Sequence, residues 1–136
     1  MANPGPASTI AIHPSQLGTN QAIRLLAVQK GVNMSAAGDT VLPIFNATSY
    51  AVSNVIVANP SVALSTAAAG LFTAPAAGGT AVVASNTLTL ATNALVQETV
   101  ATPTAILSGQ NLYYNVATAQ GSGVTADVYV YGYDLS

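Results

Sequence analysis

Between Val124 and Tyr133 the side chains alternate without a break: Val124, Ala126, Val128 and Val130 form one set, and Thr125, Asp127, Tyr129, Tyr131 and Tyr133 the other. A period of two puts those sets on opposite faces of a strand and scatters them around a helix. The run from Leu112 to Thr118 has the same character, and Gln120-Gly121-Ser122-Gly123 between the two reads as a turn. Taken as a hairpin with Thr118 opposite Val124, the segment sets Val116 against Ala126 and Tyr114 against Val128 on one face. On the other, Tyr113 meets Tyr129 and Asn115 meets Asp127. The aliphatic face has to be buried. The other is a tyrosine stripe of Tyr113, Tyr129, Tyr131 and Tyr133 with Asp127 beside it, which suits a partner interface, since tyrosine offers a large ring, a wettable hydroxyl and few rotamers to freeze. The competing reading is a face covered by a loop or left exposed.

The rest of the chain repeats the pattern in shorter segments. Residues 22–33 fit either a short helix or a buried strand, and the strand-rich remainder favours the strand. Ala37-Gly38-Asp39 marks a turn, and Thr40 to Phe45 a strand that Pro43 confines to an edge or a bulge. Tyr50 to Ala58 reads as a strand apolar on both faces, as in the middle of a sandwich, and Asn59-Pro60 ends it. Gly70, Pro75, Gly78 and Gly79 break any helix that Ala67-Ala68-Ala69 would start, leaving short strands at 62–64 and 71–73. Further strands are expected at 80–84, 86–91, 94–101 and 104–107, with Leu88 and Leu90 facing in and Thr87 and Thr89 facing out. Eight to ten short strands at regular spacing predict an all-β, single-domain antiparallel β-sandwich of jelly-roll type over residues 22–136. Residues 1–21, with Pro4, Pro6, Pro14, Gly5 and Gly18, predict an extended N-terminal arm laid on a neighbouring subunit.

Charge narrows the function. Only Arg24, Lys30, Asp39, Glu98, Asp127 and Asp134 are charged, and none lies between Asp39 and Glu98, where an ordinary soluble domain has about a quarter of its residues charged. Two basic residues and a net charge of −2 argue against a nucleic-acid partner and against a polybasic membrane contact. The apolar stretch from Tyr50 to Phe72 is interrupted by Asn54, Asn59-Pro60, Ser61, Ser65 and Thr66, so no transmembrane helix is expected, and the first residues lack the pattern of a secretory signal. A surface this poor in repelling charge suits life inside an assembly.

Reactive groups are scarce. Zero cysteines exclude disulfides and thiolate metal sites, and the one histidine, His13, has no acid within twenty residues. The four carboxylates are expected to be solvated or hydrogen-bonded surface groups, with no acidic loop of calcium-binding spacing. Gly78-Gly79-Thr80 lacks the ending of a phosphate loop and reads as a hairpin turn. No catalytic residue, metal site or cofactor is expected.

The succession GVNMSAAGDTVLPI (Gly31 to Ile44), IVANPSVALSTAAAGLFTAPAAGGTAVVA (Ile56 to Ala84) and LYYNVATAQGSGVTADVYVYGYDL (Leu112 to Leu135) resembles small virion proteins of tailed bacteriophages, of the head decoration or cement type. The likeness covers about residues 30–136. It implies a β-sandwich made in the host cytoplasm and placed on the capsid surface, often as a homotrimer, with the major capsid protein or other virion subunits as partners and no enzymatic activity. Tyr113, Tyr129, Tyr131 and Tyr133 are the candidate contacts. The alternative is a carbohydrate-binding or adhesive module of a phage tail or fibre, with tyrosines stacked on sugar rings.

Overall fold

The computed structural model describes residues 23–121 and 123–136. Eight strands follow one another: β1 (Arg24–Asn33), β2 (Gly38–Pro43), β3 (Tyr50–Ala58), β4 (Ala68–Ala74), β5 (Gly78–Thr87), β6 (Leu95–Glu98), β7 (Asn111–Thr118) and β8 (Thr125–Asp134). They make two antiparallel sheets of four, ordered β1-β8-β3-β6 and β2-β7-β4-β5, and no helix occurs among the described residues. The pairings β1 with β8, β2 with β7, β3 with β6 and β4 with β5 nest around the β4–β5 hairpin, as if the chain were doubled back on itself once. Two more ladders, β3 with β8 and β4 with β7, complete the sheets.

Alternation decides which side chains enter the core. Ala126, Val128 and Val130 of β8 point inward beside Val52, Val55 and Val57 of β3, while Leu112, Tyr114 and Val116 of β7 point inward from the other sheet beside Leu42 and Leu71. These residues belong to one apolar cluster shared by both sheets, and each aliphatic side chain so buried contributes roughly 1.5–3 kcal/mol. At Gly132 the inward position has no room for a side chain: an added Cβ would strike the Ala51 carbonyl and come within 2.7 Å of Leu26 Cδ1.

The expected hairpin between 112–118 and 125–134 does not form. β7 and β8 lie in different sheets and meet through their apolar faces across the core. Their connection is an arch held by Gln120. Its Oε1 accepts from the backbone N–H groups of Ser65, Thr66 and Ala67 at 2.9, 2.8 and 3.0 Å, and the Gln120 backbone N–H donates to the Met34 carbonyl at 2.8 Å.

Other elements are shorter or displaced from expectation. Residues 22–33 contain β1 and no helix among those described, and Pro43 closes β2, an edge strand. The segments at 62–64 and 104–107 reduce to isolated bridges, Leu64 with Leu90 and Leu107 with Tyr50. Leu88 and Leu90 do face inward and Thr87 and Thr89 outward, but β5 ends at Thr87. The β4–β5 turn is Pro75-Ala76-Ala77, so Gly78 and Gly79 begin the next strand. The expected N-terminal arm and His13 lie outside the described residues.

Candidate functional site

Separating β7 from β8 divides the expected tyrosine stripe. Tyr113 lies on the outer face of the β2-β7-β4-β5 sheet, in a cross-strand row with Val41 and Phe72. Tyr129 and Tyr131 lie on the outer face of the other sheet, half-buried, in rows with Val28 and Ile56 and with Leu25 and Asn54. Tyr133 follows on the same face opposite Ala51 and is the most open of the four, 36% exposed. The structure therefore brings Tyr129, Tyr131 and Tyr133 together and sets Tyr113 apart.

Asp127 shares that face at its far end, where its carboxylate has a local task. Pairing between β1 and β8 slips between Gln29 and Val32, leaving Lys30 and Gly31 out of register, and Asp127 Oδ1 accepts from the Gly31 N–H at 2.9 Å. Its other oxygen accepts from Asn59 Nδ2 at 3.1 Å. Asn115, expected opposite Asp127, donates instead to Asp39 Oδ1 at 2.7 Å, and Asp39 Oδ2 accepts from the Ala76 N–H at 2.7 Å.

The other charges are similarly engaged. Arg24 pairs with Asp134 at 3.2 Å and also donates to the Phe45 carbonyl at 2.7 Å. Two bonds from Ser136 and the Arg24 guanidinium hold the Asp134 carboxyl below its usual range. Ile23 precedes Arg24, Tyr133 and Leu135 flank Asp134, and Phe45 offers its carbonyl to Arg24; the side chains of all four are exposed. Of the six charged side chains, Lys30 alone makes no bond to a described side chain or carbonyl.

Glu98 departs most from expectation. Predicted as a surface acid, it is 6% exposed, the last residue of β6 at the seam where the edge strands β5 and β6 of the two sheets come together. Asn86 Nδ2 of β5 donates to Glu98 Oε1 at 3.2 Å, and the Tyr114 hydroxyl of β7 donates to Oε2 at 3.3 Å. Burial pushes the Glu98 carboxyl up to about 7, outweighing the lowering effect of those two bonds. Burial and the adjoining Glu98 hold the Tyr114 hydroxyl well above its ordinary range, so it remains a donor. A cleft of about 320 Å³ opens beside this group, lined by Ser85, Asn86, Val96, Gln97, Glu98 and Thr99 with Ala84 and Ala101.

Sequence reasoning missed this cluster because its members are separated by twelve and sixteen residues. The available signal was Tyr114 itself, a tyrosine in an otherwise aliphatic inward set, whose hydroxyl needs a partner once buried. Among the described residues no three of His, Cys, Asp and Glu approach one another as a metal-binding group. Compared with family models, with curated proteins and with solved structures, the chain matches none.

Proposed function

We propose that this chain is a non-enzymatic structural protein of a tailed-phage virion, a decoration or cement protein that sits on the capsid surface as a homo-oligomer and stabilises the head shell. The observation that carries the reading is the treatment of charge. Five of six charged side chains are spent on contacts within the chain, while large apolar side chains, Ile23, Phe45, Leu95, Ile106 and Leu135 among them, stay exposed. A surface so built gains little from remaining solvated alone and adheres through apolar burial and hydrogen bonds. The nested strand pairing supports a jelly roll, an architecture used by viral capsid proteins and also by lectins.

On this reading the action is mechanical. A stiff double sheet bridges adjoining capsid subunits, the buried area opposes outward pressure from packed DNA, and the outer face bearing Tyr129, Tyr131 and Tyr133 provides ring-sized contacts. Quantitative mass spectrometry of purified virions is the test. A copy number comparable to that of the major capsid protein, as a repeated shell site requires, is the expected result. A handful of copies would favour the tail or fibre adhesive alternative, and absence from particles would overturn the proposal.

A further inference from the structure

We propose that the cleft between β5 and β6 binds an organic cation, an alkylammonium or guanidinium group, with the Glu98 carboxylate as its counter-ion. Glu98 is buried and receives only two neutral donors, Asn86 and Tyr114, whereas an ionised carboxylate offers about four acceptor positions. Burying a carboxylate without a cation is costly. Among the described residues the chain supplies none here. Arg24 is committed to Asp134, and Lys30 lies on β1, at the opposite edge of the same sheet from β6 and three strand spacings away, roughly 14 Å.

The adjoining space fits the missing partner. Its walls combine the small side chains Ala84 and Ala101 with the polar Ser85, Gln97 and Thr99, and its volume of about 320 Å³ admits a slim aliphatic stem ending in a charged head. Asn86 from β5 and Tyr114 from β7 are the polar side chains bonded to Glu98, and Tyr114, the only titratable one, stays protonated. A cation entering the cleft therefore displaces the proton of Glu98 and nothing else. Free amines and a lysine side chain presented by another protein share this chemistry, and the inference stands independently of any virion role.

The test is NMR titration of the full chain, following the side-chain amides of Asn86 and Gln97, with n-butylammonium and with the peptide acetyl-Gly-Lys-Gly-amide. Saturable shifts are expected at pH 8, and binding about tenfold or more weaker at pH 5, where Glu98 holds its proton. Glu98→Gln, which keeps the shape, and Ala101→Phe, which fills the cleft and leaves Glu98 in place, should each abolish them. Saturation by either probe with these dependences supports the site, and the tighter probe names the source. No saturation by either at pH 8, or equal saturation in Glu98→Gln, overturns it.

Discussion

Tyr114 and Glu98 join the two sheets from within: the tyrosine hydroxyl on β7 donates at 3.3 Å to a carboxyl on β6, the edge strand of the opposite sheet. β6 has only four residues, and its ladder to β3 runs from Leu95 to Glu98. The carboxyl thus ties a short strand to β5 and β7 at the point where its own sheet ends.

Protonation of Glu98 should set the pH dependence of stability. Because burial raises its carboxyl from 4.5 to about 7, the native state holds that proton more tightly than the unfolded chain does. The contribution is fully present below about 4.5 and lost as pH rises through about 7, a swing on the order of 3 kcal/mol. Urea midpoints should fall between pH 5 and pH 8 in the parent chain and stay level in Glu98→Gln.

Gln120 should prove the most sensitive polar residue of the arch. Truncating it to alanine leaves the Ser65, Thr66 and Ala67 N–H groups without their shared acceptor, of which Ala67 is fully buried. A loss of roughly 1–3 kcal/mol is expected for Gln120→Ala. Gln120→Glu, which retains an acceptor oxygen, should cost less in the same urea titrations, and amide exchange at 65–67 should speed up in the alanine variant alone.

The β4–β5 turn carries removable strain. Ala76 and Ala77 sit at φ of 57° and 55°, the left-handed region that alanine enters at a cost of roughly 1–2 kcal/mol. Replacing Ala77 with glycine relieves this while adding freedom to the unfolded chain, leaving a net gain of up to about 1 kcal/mol. Differential scanning calorimetry of Ala77→Gly should show a higher Tm.

Gly132→Ala should do the reverse. The added methyl, on β8 where that strand is paired on both sides by β1 and β3, collides with the Ala51 carbonyl and with Leu26. Destabilisation on the order of 4 kcal/mol or more, the range of severe core substitutions, is expected in thermal melts.

The sequence carried a good deal of this. Period-two alternation placed Val128 inside and Tyr129 outside, and the apolar run Tyr50 to Ala58 is a strand, β3, as its composition indicated. It misjudged the pairing of β7 with β8, because alternation tells which side chains share a face and not whether two such faces lie side by side or across a core. Both arrangements bury Val116 and Ala126 equally well. Long-range contacts decided the matter: Gln120 reaches the 65–67 backbone, which no local pattern encodes. Glu98 escaped for a similar reason. An acid beside Gln97 and Thr99 looks solvated until Asn86 and Tyr114 arrive from other strands.

If the chain is a capsid decoration protein, as proposed, its scarcity of charge requires that it attach by apolar burial and hydrogen bonding. The direct measurement is co-sedimentation of the purified full chain with head shells stripped of it, in about 0.1 M and about 1 M NaCl, across which the screening length falls from about 10 to about 3 Å. Binding that changes by less than about twofold is the predicted result, since screening has few charge pairs to act on. Failure to bind at either concentration, or release at the higher one, would contradict the account.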